Sequence, residues 1–304
     1  MRGVRVVRPG FFTTVQDAGR RGASRWGVPA SGFADPFSAA AANALAGNAA
    51  DSALLEAALG SVELESVGTV AIGVAGAAAV VAVNGAVADR DRTLVLRSGD
   101  RLSIGPATAG LRVYVAVGGG IAVPPVLGSR SALAPSALGG FAGRKLAAGD
   151  ELPAGDAPAA EVRSVASGAL PFDTGVVRAL AGPQWDSFPE DARRRFFGAP
   201  FRVSPRSDRR GVRLEGDGVA PATGEIDPEG VVVGAVQVPA GGGPIVLMPD
   251  GPVTGGYPKI AVAVRADLRV LGQLRPGDMV RFREVSRTEA LSADPGGRPR
   301  EERA

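Results

Sequence analysis

The stretch Gln237–Asp278, QVPAGGGPIVLMPDGPVTGGYPKIAVAVRADLRVLGQLRPGD, is the part of the chain that decides the fold. It places two short apolar strands, Ile245–Met248 and Ile260–Val264, on either side of a loop rich in glycine and proline. Glycine lets backbone approach a ligand closely, and successive free N–H groups form a concavity that binds anions. A tight hairpin turn also needs glycine for positive φ. The spacing alone leaves both interpretations open.

Strand patterns dominate the rest of the chain. Leu111–Val117 and Val280–Arg283 alternate apolar and polar or small residues, the pattern of half-buried strands, whereas Val67–Val74 and Val231–Val238 are near-continuous apolar runs of strand length. Turn residues separate these runs about every ten residues, which favours barrels or sandwiches over units of alternating strand and helix. The sequence therefore predicts a mostly β protein.

Two short helices are expected among the strands. The first has Asp35 as its N-cap, a proline at its first position, alanines through Ala46 and Gly47 as its stop. The second covers Pro189–Phe197, with acidic residues in its first turn and arginines in its last.

The predicted domains cover residues 1–165 and 166–288. A recurring Leu-x-x-Gly-Asp pattern, ending at Asp100, Asp150 and Asp278, is compatible with two related barrels in tandem or with chance recurrence of a turn. The boundary is expected within Pro153–Thr174, where Pro, Ala, Gly and Ser collect without periodicity. Residues 289–304 carry no apolar pattern, and we expect a disordered tail.

The composition excludes several kinds of chemistry. The 304 residues include no histidine and no cysteine, so a Ser-His-Asp triad, a His-based zinc site and thiolate catalysis are impossible within this chain. The absence of cysteine, of a long apolar run and of an N-terminal apolar signal region predicts a cytoplasmic protein with no membrane partner.

The basic residues are almost all arginine. Of the 34 Lys and Arg residues, only Lys145 and Lys259 are lysines, so each retained lysine is of interest as a charge that can lose its proton when buried. The basic runs Arg193–Arg195 and Arg206–Arg213 lack interleaved stacking aromatics, and we therefore expect no nucleic-acid partner.

Several ordered sequence blocks resemble the biotin-dependent carboxyltransferase-like family, which includes the KipA-type proteins, the C subunit of bacterial 5-oxoprolinase and the matching part of urea carboxylase. The resemblance runs from about Val6 to Phe282. Its blocks are Thr13–Arg20, Gly27–Gly32, Leu111–Ile121, Leu127–Ser131, Gly143–Leu146, Gly182–Gln184, Ser207–Gly216, Gln237–Pro239, Pro244–Met248, Thr254–Ala261 and Ala266–Leu268. It implies two cyclophilin-like β-barrel domains in tandem with a few short helices.

The resemblance also implies an activity and partners. We expect the C subunit of an ATP-dependent 5-oxoprolinase, inactive alone. It would work with the A subunit, and with a KipI-like B subunit, to open a small anionic substrate, 5-oxoproline, to glutamate. Phosphorylating the lactam oxygen would make the ring a better electrophile for water. The alternatives are a KipA-like regulator that sequesters a KipI-type kinase inhibitor, and a carboxyltransferase that acts with a separate biotinylated chain.

Two absent motifs restrict the cofactors. No GxxxxGK[ST] run is present, so ATP would be held in the assembled complex rather than by a P-loop here. No lysine lies between methionines, which is the biotin-attachment signature, so this chain should carry no biotin itself.

The candidate site residues are those able to meet an anion without histidine, and each also has a structural interpretation. Asp250 would orient a nucleophile or cap a turn, Lys259 would neutralise an anion or be an exposed lysine at a strand start, and Asp208 would be catalytic or pair with Arg209. No metal site is expected. The proposed substrate-binding groups are the backbone-rich loop, the serine–arginine pair as a carboxylate clamp, and one glutamine: Thr254, Gly255, Gly256, Tyr257, Ser129, Arg130 and Gln237.

Overall fold

The computed structural model describes residues 2–156, 162–164, 175–222 and 224–293. The chain forms two compact units, the first comprising Met1–Asp173 with Gly272–Arg275 and the second Thr174–Leu271 with Pro276–Ala304. Of the stretch Pro153–Thr174, where the boundary is expected, positions 157–161 and 165–174 lie outside the described residues. The return of residues 272–275 to the first unit is absent from the predicted ranges.

The protein is 38% strand and 16% helix, which confirms the mostly β prediction with a few short helices. The α-helices are α1 Pro36–Leu45, α2 Glu190–Gly198, α3 Leu268–Gln273 and α4 Arg287–Ala293. Short 3-10 helices occur at Ala23–Trp26, Ala134–Ser136, Trp185–Ser187 and Arg265–Asp267. Within the described residues, none of these helices has the length and apolar character needed to cross a membrane.

The first unit contains two sheets. Its strands are β1 Gly3–Arg8, β2 Phe12–Gln16, β3 Leu54–Ala58, β4 Gly60–Val67, β5 Val70–Ala78, β6 Val81–Val83, β7 Ala86–Val87, β8 Leu94–Leu96, β9 Arg101–Pro106, β10 Ala109–Val117 and β11 Glu151–Pro153. One sheet has the order β11-β1-β4-β9-β6-β7 and the other β2-β3-β10-β5-β8. Apolar side chains from both sheets form one core, so the described strands of this unit bury their faces by pairing two sheets.

Strand β10 is buried on both faces, although its alternation predicted a half-buried strand. Val113 and Val115 enter the shared core, while Tyr114 and Ala116 on the opposite face pack with Ala39 of α1. The helix therefore covers the face that the sequence pattern assigned to solvent.

Helix α1 begins as the sequence predicted. The Asp35 carboxylate accepts a hydrogen bond from the Ser38 backbone N–H at 3.0 Å, proline follows at the first helical position, and Gly47 beyond the helix has a φ of 76°. Burial raises the pKa of the Asp35 carboxyl, because no water reaches the charged form. The Ser38 hydroxyl and the Gln273 amide also donate hydrogen bonds to this carboxylate, at 2.5 and 2.8 Å.

A buried polar network extends from this cap into β3 and β10. The Tyr114 hydroxyl accepts from the Asp35 N–H at 2.8 Å and donates to Glu56 at 3.0 Å. Arg112 approaches the other oxygen of Glu56 at 3.3 Å. Gln273 accepts from the Arg112 N–H at 2.9 Å, so segment 272–275 is attached to the first unit by hydrogen bonds that sequence periodicity does not encode.

The second unit contains a closed barrel. Its strands are β12 Val176–Ala181, β13 Phe201–Val203, β14 Gly211–Glu215, β15 Glu229–Gly230, β16 Ala235–Gln237, β17 Ile245–Leu247, β18 Thr254–Gly255, β19 Lys259–Ala263 and β20 Met279–Glu284. The barrel order is β12-β19-β16-β17-β14-β13-β20, and β12 pairs with β20 to close it. Strands β15 and β18 form a separate two-stranded pair.

An aromatic cluster fills part of this unit beside α2. Phe196 of the helix stacks on Phe282 of β20 with ring centroids 4.6 Å apart, and Phe201 of β13 lies 5.9 Å from Phe196. All three are buried. The helix, predicted at Pro189–Phe197 and found one residue later at each end, is held by this apolar contact as well as by its end charges.

Two apolar runs predicted as single strands are interrupted. The run Val67–Val74 contains a turn at Gly68, whose φ of 74° suits glycine, so β4 ends and β5 begins within it. In Val231–Val238 only Ala235–Gln237 is strand. A short apolar run predicts that its residues are buried, but burial alone does not show whether they form a strand or a turn.

The start of the expected disordered tail is helical. Helix α4 includes positions 289–293, while 294–304 lie outside the described residues. The Ser286 hydroxyl accepts from the Glu289 N–H at 3.2 Å, and Arg283 of β20 pairs with the Glu289 carboxylate at 2.8 Å. Serine followed three residues later by glutamate is a helix-capping pattern that can begin a helix without an apolar face.

The cap at Asp35 supports a stability prediction. Asp35→Ala removes the acceptor for the first turn of α1 and for Gln273, so we expect the free energy of unfolding to fall by at least about 1–2 kcal/mol. Urea denaturation followed by circular dichroism measures this. Asp51→Ala is the control, since Asp51 is exposed; equal stability of the two variants would contradict the structural role of the network.

Candidate functional site

The glycine-rich loop of the second unit is tied to a neighbouring segment. Its residues Thr254 and Gly255 form β18, which pairs with Glu229 and Gly230 of β15. The Ile226 N–H donates to the Gly256 carbonyl at 2.8 Å. These backbone bonds bring the side chain of Glu229 to the start of β19, where Lys259 lies.

Lys259 is buried and ion-paired, whereas the sequence left an exposed lysine as one interpretation. Only 3% of the residue is exposed, and its ammonium lies 2.7 Å from a carboxylate oxygen of Glu229. The Tyr257 carbonyl accepts a weaker hydrogen bond from it at 3.5 Å. A buried ammonium needs such partners because leaving water is costly. Glu229 itself keeps 44% of its side chain exposed, so the pair is accessible from one side.

Gln184 connects both members of this ion pair. Its amide nitrogen donates to Glu229 at 3.0 Å, and its amide oxygen accepts from the Lys259 backbone N–H at 3.1 Å. The two donors, the ammonium and then the Gln184 amide, hold the pKa of Glu229 below its ordinary value of 4.5. The carboxylate is therefore kept ionised and oriented.

Sequence reasoning missed Glu229 and Gln184 as site residues. Gln184 lies in the Gly182–Gln184 block of the family resemblance, which was a usable signal. Glu229 follows a proline within a turn-like stretch and resembles any exposed glutamate. Only the pairing of β15 with β18 identifies it.

Gln237 ends β16 beside the same strand as Lys259. It is 4% exposed, and its backbone pairs with Lys259 across a register shift. A Cβ atom at Gly255 would lie 2.3 Å from the Gln237 amide nitrogen, so the loop passes close to this amide. The structure therefore brings together three of the predicted candidates: Lys259, Gln237 and the Thr254–Tyr257 loop.

The assembled groups can bind a small polar molecule. An ammonium, an oriented carboxylate and two carboxamides offer donors and acceptors without any histidine. Among the described residues, no group of three or more acidic side chains is placed to hold a metal ion. The chemistry available is hydrogen bonding and charge neutralisation, which can orient a carbonyl, amide or carboxylate group.

Asp250 and Asp208 make their hydrogen bonds to residues other than those around Lys259. Asp250 is buried and accepts two hydrogen bonds from Arg209, at 2.8 and 3.0 Å, so its carboxylate serves a buried ion pair. Asp208 accepts from the N–H groups of Arg210 and Gly211, at 2.7 and 3.2 Å, which caps a turn. Arg209, the residue next to Asp208, pairs with Asp250.

The serine–arginine clamp of the first unit binds a carboxylate of this chain. The hydroxyls of Ser129 and Ser131 donate to Asp17 at 2.6 and 2.7 Å, and the Arg130 and Gly19 N–H groups donate at 2.5 and 2.8 Å. The predicted clamp was two hydroxyls around a guanidinium; here the hydroxyls hold Asp17 of this chain, and the Arg130 guanidinium contacts the Val123 carbonyl instead.

The Arg130 side chain is held at one point. Its Nε donates to the Val123 carbonyl at 2.7 Å, and its two terminal nitrogens have no partner in the part of the chain that the structure describes. The guanidinium therefore keeps free donors for an anion. Arg130 belongs to the first unit, whereas Lys259 belongs to the second.

The chain matches a known family over most of its length. The family model of the carboxyltransferase domain, subdomain A and B, matches residues 26–284. The C subunit of the 5-oxoprolinase of Escherichia coli (strain K12) is 39% identical over 293 residues, which cover 95% of this chain and 94% of that protein. Urea amidolyase of Lachancea kluyveri is 33% identical over 310 residues, covering 92% of this chain and 17% of that protein.

A solved structure agrees with these sequence relations. The Kluyveromyces lactis urea carboxylase superposes with a TM-score of 0.87 at 32% identity, covering 97% of this chain and 29% of that chain. The chain is thus similar to nearly the whole of one protein and to one region of much larger ones.

The Glu229 carboxyl provides a pH prediction. A carboxyl whose folded-state pKa is lowered contributes stability that is present above its unfolded-state pKa and is lost as the pH falls through its folded-state pKa. We expect the Glu229 midpoint, followed by carbon-13 NMR, to lie below 4.5 and to move up towards 4.5 in Lys259→Met. The exposed Glu225 serves as reference, because the substitution should leave its signal unchanged. A wild-type Glu229 midpoint at or above 4.5 would contradict the pairing.

The Asp17 clamp provides a second stability prediction. Asp17→Ala leaves the hydroxyls of Ser129 and Ser131 and two backbone N–H groups without their acceptor, and we expect a loss of at least about 1–3 kcal/mol of unfolding free energy. Urea denaturation measures it against Asp51→Ala. If Asp17→Ala were as stable as that control, the clamp would not be structural and its serines would again be candidates for a ligand.

Proposed function

This chain belongs to the carboxyltransferase domain family, and on that premise we propose that it works as the C subunit of an ATP-dependent 5-oxoprolinase, a hydrolase complex that opens 5-oxoproline to glutamate. Its proposed partners are the A subunit of that complex together with a KipI-like B subunit, and its proposed location is the cytoplasm. The chain alone is inactive in this proposal, and ATP is bound in the assembled complex.

The proposal rests mainly on how much of the bacterial C subunit this chain matches. The match to the bacterial C subunit extends over 94% of that protein, whereas the match to urea amidolyase covers 17% of a much larger one. The similarity to the C subunit thus extends over nearly the whole of that protein, and this supports the proposed role.

The chemistry of the Lys259 site supports the same proposal. The reaction converts 5-oxoproline, ATP and two water molecules into glutamate, ADP and phosphate, and negative charge develops on oxygen atoms as it proceeds. A buried ammonium stabilises such charge more strongly than an exposed one. We assign Lys259 to the oxygen atoms of the substrate, Glu229 to its N–H group, and the loop Thr254–Tyr257 to the remaining polar contacts.

A second candidate function is carboxyl transfer with a separate biotinylated chain. It is favoured by the superposition on urea carboxylase, which covers 97% of this chain. In that case the same polar groups would bind a neutral amide acceptor, and activity would require a biotinylated partner with bicarbonate and ATP.

The prediction concerns Lys259 in the assembled complex. Purified A and B subunits with this chain should form ADP and glutamate from 5-oxoproline and ATP, and Lys259→Met should lower kcat/KM at least about tenfold, equivalent to 1.4 kcal/mol. Methionine keeps an apolar stem in the buried position but removes the charge. Lys145→Met is the matched control, because Lys145 is the other lysine and is exposed; it should keep full activity.

The controls separate the candidate functions. Co-purification of Lys259→Met with the A and B subunits shows that assembly survives. Full turnover by those two subunits without this chain would refute the proposed role, and so would substantial turnover by the chain alone. Carboxylation of urea that appears only with a biotinylated partner would favour the second candidate.

A further inference from the structure

Gln237 is a buried polar side chain of the second unit whose amide nitrogen lacks a hydrogen-bond partner among the described residues. Only 4% of the residue is exposed. Two buried cations of the same unit are paired, Lys259 with Glu229 and Arg209 with Asp250. A buried donor without an acceptor lowers the free energy of unfolding by about 1–3 kcal/mol, so its presence needs an explanation.

A strand irregularity directs Gln237 to the polar site. The pairing of β16 with β19 changes register between Val236 and Gln237, which places Gln237 opposite Lys259. Bulges of this kind re-aim a side chain and are common beside functional sites.

The surroundings of the amide support the same direction. The amide nitrogen lies so close to Gly255 that a Cβ there would be 2.3 Å away, and Gly255 is the residue paired with Glu229. The amide is thus next to the loop that also positions the ion pair.

We propose that the Gln237 amide is the specificity-determining group of this site, and that its nitrogen donates to the carbonyl oxygen of a cyclic amide. A lactam holds its amide in the cis form, so its C=O and N–H lie side by side on one edge of the ring. Gln237 supplies a donor for the lactam C=O, and Glu229 supplies an acceptor for the lactam N–H. The inference rests on the proposed function for the choice of lactam, while the recognition of an amide edge rests on the residues themselves.

The amide edge also explains why a neutral donor stands beside Lys259. An ammonium alone attracts any anion, including an amino acid without a ring carbonyl. A site with buried donors that only a carbonyl satisfies discriminates against ligands that lack it, because the unpaired donors then remain desolvated. Gln237 therefore selects 5-oxoproline over proline, which has the same ring and carboxylate but no ring carbonyl.

Binding and stability together test this inference. Isothermal titration calorimetry of the full chain, and of the assembled complex, compares 5-oxoproline, 2-pyrrolidinone, urea and proline. In the complex, Gln237→Met should weaken the binding of 5-oxoproline at least about tenfold, equivalent to 1.4 kcal/mol. The weak binding of proline should stay unchanged. The Tm of Gln237→Met should equal or exceed that of the wild type, because an unsatisfied buried donor has been removed.

A structural role would give the opposite result. If Gln237→Met lowers the Tm and keeps wild-type affinity for 5-oxoproline, the inference is overturned. If Gln237→Met lowers both the Tm and the affinity for 5-oxoproline, Gln237→Glu separates the two roles, because glutamate keeps the shape of the side chain but not the amide donor. Wild-type affinity for 5-oxoproline in Gln237→Glu would overturn the inference. Failure of the proposed function is recognised separately: the complex would lack oxoprolinase turnover while urea or 2-pyrrolidinone still bound in a Gln237-dependent way.

Discussion

The need to compensate charged groups removed from water shapes both units of this protein. Removing a charged group from water is costly unless a partner or several hydrogen bonds replace the water. In the first unit, Glu56 is met by Arg112 and Tyr114. Asp17 is met by serine hydroxyls and backbone N–H groups. These contacts join segments that are distant in the chain, so they fix how strands and loops are assembled.

The second unit meets the same need in two different ways. Arg209 and Asp250 are both buried and hold one another by two hydrogen bonds, an arrangement that serves the fold. Lys259 is equally buried, but its partner Glu229 is 44% exposed in its side chain. A pair that opens to solvent on one side can exchange contacts with a ligand, and for that reason the two pairs have different roles in our interpretation.

Local chemistry predicted the kinds of interaction better than the partners. The residues around Ser129 were predicted to hold the carboxylate of a substrate, and in the structure their hydroxyls hold the carboxylate of Asp17. Asp250 was predicted to orient a nucleophile or cap a turn, and in the structure it pairs with Arg209. Lys259 was singled out by rarity, and its burial follows from the pairing of β19 with its neighbours. A sequence states which groups are available, whereas the partner that each group meets depends on the whole fold.

The sequence by itself determined the mostly β class, the α1 cap at Asp35 and the position of the glycine-rich loop, because alternation, capping and turn chemistry act between residues a few positions apart. Only the tertiary structure decided that Gln273 reaches Asp35, 238 positions away, and that Glu229 faces Lys259. It also decided that β10 is buried on both faces, since α1 covers one of them. Such contacts arise when strands pair across long separations, and no periodicity in a single segment records the identity of its distant partner.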